Sequence, residues 1–431
     1  MVFEELNYRS IAIYGLGLEG KSTLNFLKRH NYQGLIYLVD DQVKDLDVLL
    51  TDNVLLGDKE VFAQVDLIIK SPGIIVSEDF LYFDKLSSQT EICLKYYSQQ
   101  VIGITGTKGK STTTSLIYHL FKVADKEVFI AGNIGKPVFD IIDDITDNSI
   151  IVYEMSCHQL ALSRLSPKIA IFLNCYEEHL DRYHNFENYL KAKENIYRFQ
   201  NNGLVYINSK LRNINDHTNY IYLGRDVLCK DKTISYKNHH LDLSSYQYSL
   251  IGEHNFFDIG VAYALAKDFN IADEIFIRAV CTFKTLPHRL ENLGTYQGIT
   301  FYNDSISTSV ESSIAAMQSL NHIDVVLLGG LDRGIDYHAL LENLKVNPIP
   351  KIIFMYASGL RMLKELGQCH KEIYYCDHLK QAVIKAYEIA QKGTVVLMSP
   401  ASASYDSFKN FEERGNKYFE YIKKYQGGQQ E

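Results

Sequence analysis

The segment GITGTKGKSTTT at residues 103–114 restricts the fold of this chain more than any other stretch. The apolar run Val101 to Ile104 reads as a buried strand, the glycines make a tight turn, and Lys110 opens a helix. Backbone N–H groups at such a turn and helix start face an anion, Lys110 adds a positive charge, and the Ser111 hydroxyl suits Mg²⁺. The first glycine of the full phosphate-loop pattern GxxxxGK[ST] falls on Ile104, so the loop is the shorter form G-T-K-G-K-S. A nucleoside triphosphate is its expected ligand.

Alternating strands and helices extend on both sides of the loop. Before it, Ile11 to Tyr14 reads as a strand, followed by GLGLEG at 15–20, a helix to His30 and a second strand, Leu35 to Val39, ending in Asp40 and Asp41. Gly15, Gly17 and Gly20 satisfy GxGxxG, with Asp40 twenty residues beyond the last glycine, which is the dinucleotide fingerprint in its proper context. The alternative is that these glycines serve only close strand-to-helix packing. A third strand, Asp66 to Lys70, runs into SPGI at 71–74. After the loop, strands near Glu127 to Ile130, Ser149 to Tyr153 and Ile169 to Leu173 end in AGNIGKP, EMSCHQ and NCYEEHLDRY. Polar residues gathered at strand ends form the expected lip of a site in an open α/β sheet. Residues 201–250 read as shorter peripheral strands, and a last block has strands at Ile299 to Asn303, Ile323 to Leu328, Lys351 to Met355 and Thr394 to Met398. Mostly parallel sheets covered on both faces are expected.

Length and charge narrow the class. A chain of 431 residues is too long for one ordinary core, and 46% hydrophobic with 22% charged residues describes a soluble globular protein. The net charge of −8 with no basic stripe argues against a nucleic-acid binder. Seven scattered cysteines form no CxxC pair and follow no secretory signal, so a reduced, cytoplasmic chain without a zinc site is expected. No apolar run approaches the roughly 18 residues that suggest a membrane span.

The KGKSTTT loop, GNIG, the Glu154 segment, EEHLDRY, LPHR at 286–289 and NDS at 303–305 occur in the order found in the Mur ligases, which this chain resembles along its whole length. Within that family, GLGLEG, SPGI, GNIGKP and SPASASYDSFKNFEERG at 399–415 are similar to the glutamate-adding branch. The resemblance implies three α/β domains: a Rossmann-like domain at 1–98 for a UDP-linked substrate, a central P-loop ATPase-type domain at 99–286, and a Rossmann-like amino-acid domain at 287–431. It implies a monomeric cytoplasmic ligase of cell-wall synthesis that joins glutamate to UDP-N-acetylmuramoyl-L-alanine, using ATP and two Mg²⁺ ions through an acyl phosphate.

Site residues follow from the same resemblance. Gly106, Thr107, Lys108, Gly109, Lys110, Ser111 and Thr112 would hold the phosphates, while Asn255, Arg289 and Asp304 would meet the rest of the nucleotide. Asp258 stands where the family often has asparagine. Lys110, Glu154, His179 and Lys193 would be catalytic, with Ser111, Glu154, His179 and a CO₂-carbamylated Lys193 as metal ligands. Without the family, Glu154 and His179 read as structural or solvated, and Lys191 and Lys193 as an ordinary solvated helix face. The UDP-linked substrate would meet Leu18, Glu19, Asp40, Asp41, Ser71, Gly73, Asn133 and Ser156, although Glu19 replaces a common threonine and an acid suits a pyrophosphate poorly.

Arg333, Ser404 and Phe411 would hold the incoming glutamate. Ile306 and Arg333 stand where relatives that add D-glutamate often carry lysine. Arginine can grip a carboxylate bidentately, but Ile306 removes a charge. D-Glutamate is expected, with L-glutamate as the alternative. Two readings from other classes are an NAD-dependent oxidoreductase, suggested by GLGLEG, and a nucleotide-binding protein without catalysis.

Overall fold

The computed structural model describes residues 3–40, 50–76, 79–214 and 218–426, and these form three sheets with helices between their strands. The first sheet has five parallel strands: β1 (Ser10–Tyr14), β2 (Leu35–Val39), β3 (Val54–Leu56), β4 (Leu67–Lys70) and β5 (Leu86–Ser87), in the order β3-β2-β1-β4-β5. Four of the five residues of β1 are buried, as expected of a central parallel strand covered on both faces. Helix α1 (Leu18–Arg29) leaves the end of β1 through GLGLEG, and α2 (Gln89–Tyr97), capped by the Ser88 side chain, closes the block.

The second sheet has nine strands in the order β14-β13-β12-β11-β10-β9-β6-β8-β7. Its centre is β6 (Val101–Thr105), every residue of which is buried, lying between β8 (Ile150–Glu154) and β9 (Ile169–Phe172). Strand β7 (Val128–Gly132) forms one edge. On the other side follow β10 (Gly203–Asn208), β11 (Thr218–Leu223), β12 (Val227–Lys230), β13 (Thr233–Tyr236) and β14 (His239–Asp242), the last three joined antiparallel. The polar, aromatic segment after residue 200 therefore extends the central sheet. Helix α3 (Lys110–Val123) starts at the phosphate loop. Three further helices matter to the site: α4 (Cys157–Leu160), α5 (Leu180–Tyr183) and α6 (Phe186–Arg198).

The third sheet has the order β15-β16-β20-β17-β18-β19, built from β15 (Glu291–Tyr296), β16 (Ile299–Asn303), β17 (Ile323–Leu328), β18 (Lys351–Met355), β19 (Glu372–Cys376) and β20 (Val395–Met398). Only β15 runs antiparallel, as a hairpin with β16. Two of these strands, β15 and β19, lie outside the sequence expectation. Both are sheet edges with mostly half-exposed or exposed residues, so neither shows the solid apolar run that marks a buried strand. The chain divides into two compact units, residues 1–247 with 257–282, and residues 248–256 with 283–431. The first holds two sheets and the second holds one. Among the described residues, no helix is long and apolar enough to cross a membrane.

Candidate active site

In the first unit, β6 ends between the ends of β8 and β9, and the phosphate loop turns there into α3. Gly109 sits at φ +84°, a left-handed conformation that favours glycine, and a Cβ there would lie 3.0 Å from Asp258 Oδ1. Asn174, just past β9, fixes the loop's shape. Its Oδ1 accepts from the backbone N–H groups of Thr107 (3.1 Å) and Lys108 (2.9 Å), and its Nδ2 donates to the Lys108 carbonyl (3.0 Å). The Thr107 hydroxyl lies 3.1 Å from that of Tyr189 and accepts from the Tyr176 N–H at 3.0 Å. Asn174, the first residue of the strand-end segment NCYEEHLDRY, and Tyr189, which no motif marks, therefore shape the loop.

Two lysines converge on this loop. Lys110 Nζ donates to the carbonyls of Gly106 (2.9 Å) and Thr107 (3.0 Å), and Lys193 Nζ donates to the same Gly106 carbonyl at 2.8 Å. Lys193 is 1% exposed, so the reading of a solvated helix face holds for exposed Lys191 and fails for Lys193. Burial, followed by the nearby Lys110 charge, lowers the Lys193 ammonium from 10.5 to about 8. Lys108 reaches outward and pairs with Glu178 at 2.9 Å. Thr112, in the first turn of α3, is buried.

Glu154 ends β8 with no exposed surface. Its Oε1 accepts from Asn133 Nδ2 at 2.8 Å, while its Oε2 is buried with no partner among the described residues. An orphaned carboxylate oxygen in a dry site is costly unless a cation or donor meets it, so this atom fits a Mg²⁺ ligand. His179 precedes α5 in a left-handed conformation, φ 55°. It packs edge-on against His158, with ring centroids 5.0 Å apart. His158 in turn lies 3.0 Å from the Tyr183 hydroxyl, and burial together with the neighbouring Arg182 charge lowers it from 6.5 to about 3, so the imidazole is neutral.

The GLGLEG turn and SPGI meet in the first sheet. The Ser71 hydroxyl donates to the Gly15 carbonyl at 2.7 Å. A Cβ on Gly20 would fall 2.0 Å from that same carbonyl oxygen, so close packing accounts for the third glycine. Asp40 accepts from the Leu16 N–H at 2.6 Å, tying the end of β2 to the turn. Asp41 lies outside the described residues. Leu18 is 71% exposed at the start of α1, and Gly73 has open space around its Cα. Glu19 turns toward the second sheet, where its Oε1 accepts from Gln159 Nε2 at 2.8 Å and its Oε2 is buried without a partner among the described residues. Burial dominates and raises its carboxyl from 4.5 to about 7, against the opposing pull of Gln159 and Lys70. Ser156 caps α4 reciprocally with Gln159. A shallow cleft opens beside these groups, bordered by Lys70, Pro72, Ser87, His158, Gln159 and Arg164. Arg182 donates to the Pro72 carbonyl at 3.0 Å, joining α5 to the SPGI turn.

The Mur ligase middle domain matches residues 104–266, and the Mur ligase glutamate ligase domain matches residues 288–402. The UDP-N-acetylmuramoylalanine–D-glutamate ligase of Aquifex aeolicus is 32% identical over 425 residues, covering 95% of this chain and 97% of that protein. The chain belongs to the Mur ligase family. A protein of the same name from Oenococcus oeni is 31% identical over 448 residues, covering 98% and 99% of the two chains. The crystal structure of MurF ligase from Thermotoga maritima in complex with ADP superimposes with a TM-score of 0.63 at 16% identity, over 99% of this chain and 97% of that one, which is a likeness of fold. MurC from the same organism gives 0.60 at 16% identity, over 98% and 100%. Family membership decides for a ligase and against the oxidoreductase that GLGLEG suggests.

The second unit of this Mur ligase holds the remaining candidate residues. Asn255 is buried there and donates to the Ile251 carbonyl at 2.7 Å. Asp304 accepts from the Leu290 N–H (3.2 Å) and the Ser399 hydroxyl (2.7 Å). Burial outweighs these bonds and the nearby Arg289, raising its carboxyl from 3.8 to about 6. Ser404 is buried, Phe411 and Ile306 are half-buried, and Arg333 is exposed. Their loops are organised by Arg414, which is fully buried. Its guanidinium donates to the Ser305 hydroxyl (3.0 Å) and to the carbonyls of Ser305 (2.8 Å) and Ser402 (2.9 Å). A bridge from the Leu331 N–H to the Ala403 carbonyl, 2.9 Å, brings the turn carrying Arg333 beside Ser404. In the sequence Arg414 is only the arginine of FEERG, because an unpaired charge is not expected inside a core.

Proposed function

We propose that this Mur ligase joins glutamate to UDP-N-acetylmuramoyl-L-alanine with the hydrolysis of ATP to ADP and phosphate, and that D-glutamate is the amino acid. The observation that carries the reading is the meeting of Lys110 and Lys193 on the Gly106 carbonyl within the chain's phosphate loop, in a protein 32% identical along its length to a D-glutamate ligase. A carboxylate is a poor electrophile, so its oxygen first takes the γ-phosphoryl group and ADP leaves. The glutamate amine then attacks the acyl carbon, phosphate departs and the amine loses a proton as the amide forms.

Phosphoryl transfer is mostly positioning and charge neutralisation, which suits two ammonium groups held beside a phosphate loop. Gly106 to Thr112 would seat the phosphates. Mg²⁺ would supply charge neutralisation at the transferring phosphoryl group, held by Ser111, Glu154, His179 and a carbamylated Lys193, with two ions in all. Carbamylation needs a neutral amine, and a Lys193 lowered to about 8 has a far larger neutral fraction near pH 7 than an ordinary lysine. Leu18, Glu19, Asp40, Asp41, Ser71, Gly73, Asn133 and Ser156 would meet the UDP-linked substrate, and Arg333, Ser404 and Phe411 the glutamate.

The test is phosphate release from ATP with each substrate omitted in turn and with D- and L-glutamate side by side. Release that requires both the UDP-muramoyl-alanine and D-glutamate is expected. Equal or greater release with L-glutamate would reverse the stereochemical assignment, and release independent of either substrate would remove the ligase reading.

A further inference from the structure

Cys157, His158 and His179 each direct one ligating atom into the same space, and these three atoms lie within 4.8 Å of one another. The Cys157 Sγ and His158 Nδ1 are 3.7 Å apart, close to the separation of two ligands of one tetrahedral ion with the usual zinc–sulfur and zinc–nitrogen lengths. The cluster is graded in exposure: Cys157 is buried, His158 half-buried and His179 exposed. That gradient leaves a path for an ion from solvent. The capping box of Ser156 and Gln159 fixes the backbone that carries Cys157 and His158. The orientation of His179 comes instead from the left-handed turn before α5.

We propose that Cys157, His158 and His179 bind a borderline-soft divalent cation such as Zn²⁺ in a three-ligand site with its fourth position open. One thiolate and two imidazoles suit zinc or cobalt, whereas Mg²⁺ prefers oxygen ligands and competes poorly for a set that contains a thiolate. On binding, the metal–sulfur bond replaces the S–H bond and the thiol proton passes to solvent. The site differs from the Mg²⁺ centre proposed above in its chemistry and shares with it only His179. An ion bound here withdraws His179 from that centre, so micromolar Zn²⁺ is expected to inhibit turnover in the presence of excess Mg²⁺. The binding itself does not depend on the ligase reading. No CxxC spacing announces such a site, because twenty residues separate His158 from His179.

The experiment titrates the full chain with Co²⁺, without nucleotide or substrate. A near-ultraviolet thiolate-to-cobalt band and intense visible bands of a four-coordinate ion are expected, saturating at one ion per chain, displaced by Zn²⁺ and unmoved by excess Mg²⁺. Cys157→Ser should lose the near-ultraviolet band, and Cys175→Ser, a change at a neighbouring half-buried thiol, should keep it. His158→Gln should weaken Co²⁺ binding at least tenfold, since removing even an outer partner of a ligand costs roughly 10- to 100-fold. Circular dichroism of each variant confirms its fold. Absence of the band in the wild-type chain, its survival in Cys157→Ser, or unchanged affinity in His158→Gln would each overturn the site.

Discussion

Lys193 shows how far a single residue departs from its ordinary reading. A lysine in the middle of a charged helix segment is normally solvated, yet here the ammonium is buried and bonded to a loop carbonyl. Lys193→Ala should lower kcat by roughly 10²- to 10³-fold, the range for losing one preorganised electrostatic group, with partial recovery on adding a short carboxylate. A normal rate without any addition would refute the carbamate role. Glu19 offers a second test at this scale, through pH. Its carboxyl is raised from 4.5 to about 7, so the folded state holds the proton more tightly than the unfolded state. Its stabilising contribution is therefore full below 4.5 and is lost as pH rises through about 7. Glutamine keeps the bond to Gln159 and does not titrate. Glu19→Gln should thus gain stability relative to wild type across that window, with the difference level above it, as read from urea unfolding at several pH values. A difference that does not change with pH would mean Glu19 is ionised in the fold.

At the scale of elements, the strands that position the site were legible because each is a solid apolar run closed by polar residues. Strands β6, β8 and β9 fall within a residue or two of their expected ends, and Glu154 and Asn174 stand where those ends are. The roles of Asn174, Tyr189 and Arg414 were not legible, since each depends on a partner far along the chain. Helix α6 links the two cases. Its buried positions, including Tyr189, Lys193, Ile196 and Tyr197, recur at helical spacing, and its start is set by the Asn185 side chain accepting from the Asn188 N–H at 2.9 Å. Asn185→Ala should destabilise the fold by about 1 kcal/mol through loss of this cap, with Asn185→Ser restoring it. Because the cap touches none of the proposed catalytic groups, kcat at saturating substrate should stay close to wild type. A large fall in kcat without loss of stability would instead place Asn185 in the chemistry.

At the scale of the whole molecule, the two compact units each contain their own hydrophobic core, so a single unfolding temperature does not describe the chain. The phosphate loop, Glu154, His179 and Lys193 all belong to the first unit, as does Cys93, which is fully buried in α2. Labelling of Cys93 by a thiol reagent during heating therefore reports the unfolding of that unit, while Cys376 reports the other. A ligand that binds only the folded form stabilises it by about 2.7 kcal/mol at a hundred times its Kd. For a unit of this size that corresponds to a rise of roughly 5 °C or more in the Cys93 labelling midpoint with Mg²⁺ and ADP. Lys110→Ala should remove most of that rise, because the substitution takes a charge from the phosphate site and leaves the packing of the core intact. An unmoved Cys93 midpoint at saturating nucleotide would mean that the first unit does not carry the nucleotide, and the assignment of its loop would fail with it.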